Sequence, residues 1–130
     1  MPYYLDTSAL VKLVVAEAES AALLAWLGHD ERVPVSSDLT RTELIRAVRR
    51  VAPERMVEAR AVLDALTLLE LTPAVFEQAG RLDPAIVRSL DAIHLAAALM
   101  LGDDLEGFVT YDERLAEAAR ANGVAVVAPA

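Results

Sequence analysis

There is no cysteine in the chain, and the only histidines are His29 and His94. Disulfides, a thiol nucleophile and thiolate metal sites are thereby excluded. Two histidines are also too few for a zinc centre built from several of them. Any metal is left with oxygen ligands. No apolar run approaches the roughly 18–20 residues needed to cross a bilayer, and the start lacks a signal-peptide pattern, so a cytoplasmic protein with no membrane role is expected. Positive charge is scarce too: the net charge is −8, and Lys12 is the single lysine beside eleven arginines. Overall charge therefore does not draw the chain to nucleic acid. Local arginine patches outweigh that sum, because the guanidinium fork suits phosphate.

What is present is a chain rich enough in apolar residues, at 55%, to exclude disorder. Its 130 residues predict one domain, 1–130, with a single buried core. Short apolar runs suited to strands recur at Tyr3–Leu5, Arg32–Ser36, Thr67–Leu71, Gly107–Thr110 and Val124–Val127. Helical stretches separate them: Ser8–Ala16, Glu19–Leu27, Leu39–Val51, Pro53–Ala65, Ala74–Arg81, Leu90–Leu101 and Glu113–Ala121. Residues 82 to 89 read as a loop, Gly28–Glu31 as a turn, and Pro34 as the mark of an edge or irregular strand. The run Ala21–Leu27 is apolar on more than one face, which predicts a buried helix or a surface for another subunit. Strands alternating with helices predict an α/β fold, a three-layer α/β/α arrangement around a mostly parallel sheet.

Four acids stand where such a sheet places its ligands. Asp6 follows the first strand and precedes Thr7-Ser8; Asp112 follows Phe108–Thr110; Glu43 lies near the start of one helix and Asp91 in the first turn of another. Each has a simpler explanation. Asp6 and Asp112 suit helix caps, and Thr40-Arg-Thr-Glu43 matches a capping box. Asp91 differs, because the helix it opens is otherwise nearly all apolar. An acid entering a core-facing helix needs a partner or a cation. Together, four carboxylates in one pocket repel unless divalent cations neutralise them. Mg²⁺ or Mn²⁺ fits, and phosphodiester hydrolysis is the matching chemistry. The expectation is that Asp6, Glu43 and Asp91 converge within metal-bridging distance, with Asp112 at the rim or completing the set. Thr7, Ser8 and Thr110 are candidates to bond those carboxylates. His94, one turn after Asp91, is either a hydrogen-bonded core residue or the group that orients a carboxylate. Arg46 and Arg50 share the face of Glu43 by helical spacing and, with Lys12, are candidates to hold an RNA backbone.

The order Leu5-Asp-Thr-Ser-Ala-Leu10, Thr42-Glu43, Leu90-Asp-Ala-Ile-His-Leu-Ala-Ala97 and Val109-Thr-Tyr-Asp112 resembles the PIN-domain family. Chain length and near-complete coverage resemble the VapC-type ribonuclease toxins within it. The resemblance implies a metal-dependent endoribonuclease using Asp6, Glu43, Asp91 and Asp112, with Asp112 the most variable. It further implies a homodimer, an RNA substrate and a cognate VapB-type antitoxin. Two other readings compete: a catalytically silent RNA- or protein-binding module, and a receiver-like signalling domain. The receiver needs a lysine after the last strand, and Val124–Ala130 carries no charge.

Overall fold

A computed structural model of the chain describes residues 1–29 and 31–130. Asp30, inside the expected turn Gly28–Glu31, lies outside the described residues. Among them, β1 (Pro2–Leu5), β2 (Val33–Ser37), β3 (Thr67–Leu69), β4 (Gly107–Val109) and β5 (Val126–Val127) form one sheet. Its order is β3-β2-β1-β4-β5, and every pair is parallel. Parallel neighbours require crossovers, and helices supply them. α1 (Thr7–Val14) and α2 (Ser20–Gly28) join β1 to β2, and α3 (Leu39–Val51) and α4 (Met56–Ala65) join β2 to β3. α5 (Pro73–Gly80) and α6 (Ser89–Leu99) lead to β4, and α7 (Glu113–Ala121) leads to β5.

The strand period of two decides the layers. Tyr4 and Phe108 point to one face, where they pack with Val75, Leu95, Ala98 and Leu115 from α5, α6 and α7. Leu5 and Val109 point to the other, against Leu10, Leu44, Val48 and Leu63 from α1, α3 and α4. Both faces are covered, as the expected α/β/α arrangement requires, and the sheet is wholly parallel. Gly107 has a spatial role, since a Cβ there would lie 3.1 Å from the Tyr3 ring. Gly123, at φ +77°, ends α7 in the left-handed region that favours glycine.

Three local expectations are corrected. β2 is an interior strand, so Pro34 does not mark an edge. It is tolerated because Val33 bonds towards β1, which aims Pro34 at the other side, and β3 pairs only from Val35 onward. Pro53 opens a short 3₁₀ turn, Pro53–Arg55, ahead of α4 rather than α4 itself. α2 is not a buried helix. Of its residues only Leu23 is buried, Leu24 is 57% exposed, and Trp26 leans edge-on against Tyr3. The helix covers α1 from outside, so one stripe suffices.

The strand order reverses between β1 and β4. Open parallel sheets hold their ligands in the crevice outside the carboxyl ends of the strands at such a point. The order also differs from the 2-1-3-4-5 order of flavodoxin-like folds, which removes the receiver-like reading. Leu23→Ala should cost about 2–5 kcal/mol in urea unfolding, as a cavity does. Leu24→Ala should stay within about 0.5 kcal/mol. Equal losses would mean that both faces of α2 are packed.

Candidate active site

Asp6 leaves β1 at the reversal point and caps α1, its Oδ1 accepting from the Ala9 amide at 3.0 Å. The capping reading of Asp6 therefore holds, and it leaves the metal-binding reading open. The carboxylate is 3% exposed, and hydroxyls surround it. Ser8 donates to Oδ1 at 2.7 Å and Thr110 to Oδ2 at 2.6 Å. Burial nonetheless wins over these bonds and raises the Asp6 pKa above its ordinary value.

Glu43 does not close the capping box. Thr40 lies inside α3 and donates to the Ser37 carbonyl, while Glu43 turns towards the crevice. Its Oε1 accepts from Thr7 at 2.6 Å and lies 2.6 Å from His94 Nε2. Burial alone would raise this carboxyl, but the bonds from His94 and Thr7 outweigh it and hold its pKa below the usual value. The other ring nitrogen, Nδ1, lies 2.8 Å from the Tyr4 hydroxyl, which also reaches Ser37 Oγ at 2.9 Å. His94 is 2% exposed and belongs to α6, whereas Glu43 belongs to the opposite helix layer. The two layers thus meet over the sheet edge through one imidazole. Both readings of His94 hold: it is a hydrogen-bonded core residue, and it orients a carboxylate.

Asp91 lies in the first turn of α6 and is part-exposed. Its pKa is raised by burial and by the charges of Asp112 and Asp6, against which His94 and Arg88 act. Asp112 caps α7 through Arg114 and Leu115 amides, and its own amide donates to Thr110. Asp91 thus feels the charges of Asp6 and Asp112, and His94, on the helix that carries Asp91, bonds to Glu43. The four acids are not drawn to a single point: among the described residues no three His, Asp or Glu side chains are grouped as the ligands of a metal are. Asp6 and Glu43 instead turn oxygens to Ser8, Thr110, Thr7 and His94.

The basic candidates separate. Arg46 and Arg50 are exposed on α3 and, with Arg49, line a hollow of about 490 Å³. Lys12 is bound elsewhere, 3.2 Å from Glu19 and 3.4 Å from Glu17, with its ammonium over the Tyr111 ring. Two functional neighbours escaped the sequence reading, Tyr4 and Ser37. A buried tyrosine needs a partner for its hydroxyl, so Tyr4 carried a signal, but the partner's identity was not local.

A raised carboxyl binds its proton more tightly folded than unfolded, so Asp6 lowers stability as pH climbs from the ordinary aspartate range through its folded pKa. Asp6→Asn removes that cost while its amide still suits Ala9, Ser8 and Thr110. In chelator at pH 7 the variant should melt higher than the parent chain. The gap should close on acidification, as the parent's Asp6 takes up its proton. A variant that melts lower at pH 7 would show that the ionised form is favoured.

Comparison with known proteins fits this geometry. The family profile of the PIN domain matches residues 3–121. Ribonuclease VapC35 of Mycobacterium tuberculosis is 47% identical over 131 residues, spanning 97% of this chain and 96% of that protein. The solved structure of Mycobacterium tuberculosis VapC20, a sarcin–ricin loop cleaving toxin, shares the fold at a TM-score of 0.75 and 20% identity, over 98% of this chain and 99% of that one. VapBC2 from Rickettsia felis, bound to a DNA fragment from its promoter, gives 0.70 at 16% identity over 100% of both chains. The chain belongs to the PIN domain family.

Proposed function

We propose that the chain is an endoribonuclease that hydrolyses RNA phosphodiester bonds with Mg²⁺ or Mn²⁺, and that it is the toxin of a VapBC-type pair. The observation that carries this reading is the crevice itself: Asp6, Glu43, Asp91 and Asp112 collect where the strand order reverses. Near full-length relatedness to a ribonuclease supports the reaction class. The whole of residues 1–130 serves as one domain, with strands from both ends in the same sheet.

The donor chemistry fits a hard cation. With no cysteine, and with both ring nitrogens of His94 engaged by Glu43, Thr7 and Tyr4, the ligands on offer are carboxylate oxygens. Asp6, Glu43, Asp91 and Asp112 would hold it, their side chains drawing in from positions in which no three are grouped as metal ligands among the described residues. A divalent cation there supplies water activation and neutralises charge at the phosphate. The chain's own residues do the positioning. Ser8, Thr110 and the Ala9 amide fix Asp6 in one orientation, and Thr7 and His94 fix Glu43. Burial raises the pKa of Asp6, and burial together with the charges of Asp112 and Asp6 raises that of Asp91; a cation would favour the ionised form of both. Arg46 and Arg50 offer guanidinium groups to the RNA backbone on the exposed side of α3. Lys12, occupied by Glu17 and Glu19, contributes to shape rather than to grip.

A homodimer and a VapB-type antitoxin complete the proposal. Exposed Phe76 and Met100 offer apolar surface for partners, and the Rickettsia felis neighbour is a VapBC assembly. No described helix is long and apolar enough to cross a membrane; a cytoplasmic location is part of the proposal.

Total cellular RNA incubated with the purified chain should show a few discrete new 5′ ends. The cuts should need Mg²⁺ or Mn²⁺ and vanish with chelator or with Asp91→Asn. Cutting that survives chelator, or that Asp91→Asn leaves intact, would overturn the reading. Arg46→Ala and Arg50→Ala should weaken RNA binding across sequences. Each should flatten the salt dependence by about 0.7 of a logarithmic unit, as loss of one single-strand phosphate contact does.

A further inference from the structure

Residues from Pro84 to Arg88 that lead into α6, the start of α6 and one face of α7 line a cavity of about 510 Å³. That volume lies within the range of small-ligand pockets, roughly 300–1,000 Å³. Val87, Leu115 and Ala118 provide an apolar lining, and Arg88, Arg114, Asp91 and Glu117 supply charge around it. Asp91 belongs equally to the acidic crevice, where it feels the charges of Asp6 and Asp112. The cavity therefore opens directly beside the proposed reaction site. Among the described residues, neither the Arg88 nor the Arg114 guanidinium is taken up by an ion pair or hydrogen bond. The contrast with the hollow on α3 is chemical: three arginines line that one, with no apolar residue among them. A lining of arginines alone suits a phosphate backbone. Apolar side chains beside flat guanidinium planes suit a nucleobase, because an unpaired base stacks on such planes and its faces avoid water.

We propose that this cavity receives one unpaired base of the RNA beside the scissile bond, with Arg88 and Arg114 flanking it and Glu117 accepting from its exocyclic amino group. This rests on the endoribonuclease reading for the identity of the polymer, and on the cavity for the rest. Cytosine, adenine and guanine each carry an amino group, and uracil carries none. Uracil's one ring donor, N3–H, lies elsewhere on the ring, so a carboxylate placed for that amino group selects against uracil. Glu117 is a specificity-determining residue in this scheme and touches no reacting atom.

The test uses the metal-free full chain in chelator, with the methyl resonances of Val87, Leu115 and Ala118 followed by NMR. CMP, AMP, GMP and UMP are titrated in turn. The expected result is saturable shifts at these three residues, with UMP weaker than the tightest of the others by about fivefold or more. Glu117 is exposed, so Glu117→Gln should fold normally, and it should narrow that difference. Arg114→Ala should weaken all four nucleotides alike. Absent shifts, shifts confined to the Arg46–Arg50 hollow, or no discrimination against UMP would overturn the proposal. So would shifts that follow protein concentration without nucleotide, because they would mark the cavity as a contact between copies. The RNA cleavage assay separates the two readings. Nucleotide binding in the cavity without cleavage would sink the enzyme and leave the base site standing. Cleavage with a silent cavity would do the reverse.

Discussion

A carboxylate buried at the end of a central strand is among the costlier things a small protein can hold, and the architecture around Asp6 answers that cost. Its oxygens meet two hydroxyls and one amide, each from a different position on the crevice wall. Those donors lie together because β1 and β4 are parallel neighbours, with Leu5 opposite Val109. The register brings Thr110 beside Asp6, and Ser8 follows from the first turn of α1. Moving either strand by one residue would turn its side chains to the opposite face and leave the acid without partners. The cap, the strand register and the acid are one device.

The second constraint is the meeting of helix layers over the sheet edge. Glu43 comes from the α3 layer and His94 from the α6 layer, and Tyr4 from the strand between them holds the imidazole's far side. No buried polar side-chain atom among the described residues lacks a partner, so this network is closed. A closed network in a low-dielectric setting permits few alternative arrangements, which suits a group that must present its carboxylate in one orientation. The three acids consequently differ. Glu43 has its charge stabilised, whereas Asp6 and Asp91 are crowded and strained towards protonation. Carboxylates pushed apart in this way give a crevice unequal handles on a cation or a proton.

Much of this was legible locally. The alternation of short apolar runs with amphipathic stretches located all five strands and the seven α-helices described, because hydrophobic period reports secondary structure before any contact is made. Glu113–Ala121 was read to the residue, helped by Asp112 as cap and Gly123 as stop. Where the reading erred, distant pairing overrode local signal. Pro34 suggested an edge because proline lacks a donor, yet β3 starts late enough to leave that donor unneeded. Ala21–Leu27 suggested burial because it is apolar, yet α2 lies on the outside of α1 and buries only Leu23. The capping box at Thr40–Glu43 had the right residues, and Glu43 found stronger partners than its own helix start.

The sequence by itself determined the fold class, the chain order of the elements and the four acids at strand ends and helix starts, since these depend on periodicity and on neighbours within a few positions. Only the tertiary structure decided which hydroxyl serves which acid, that Tyr4 and Ser37 join the network, that Lys12 is occupied by Glu17 and Glu19, and that a cavity opens beside Asp91. The reason is physical. Tyr4 and His94 are separated by 90 positions and Asp6 and Thr110 by 104, and only strand order and helix packing bring such groups within hydrogen-bond reach.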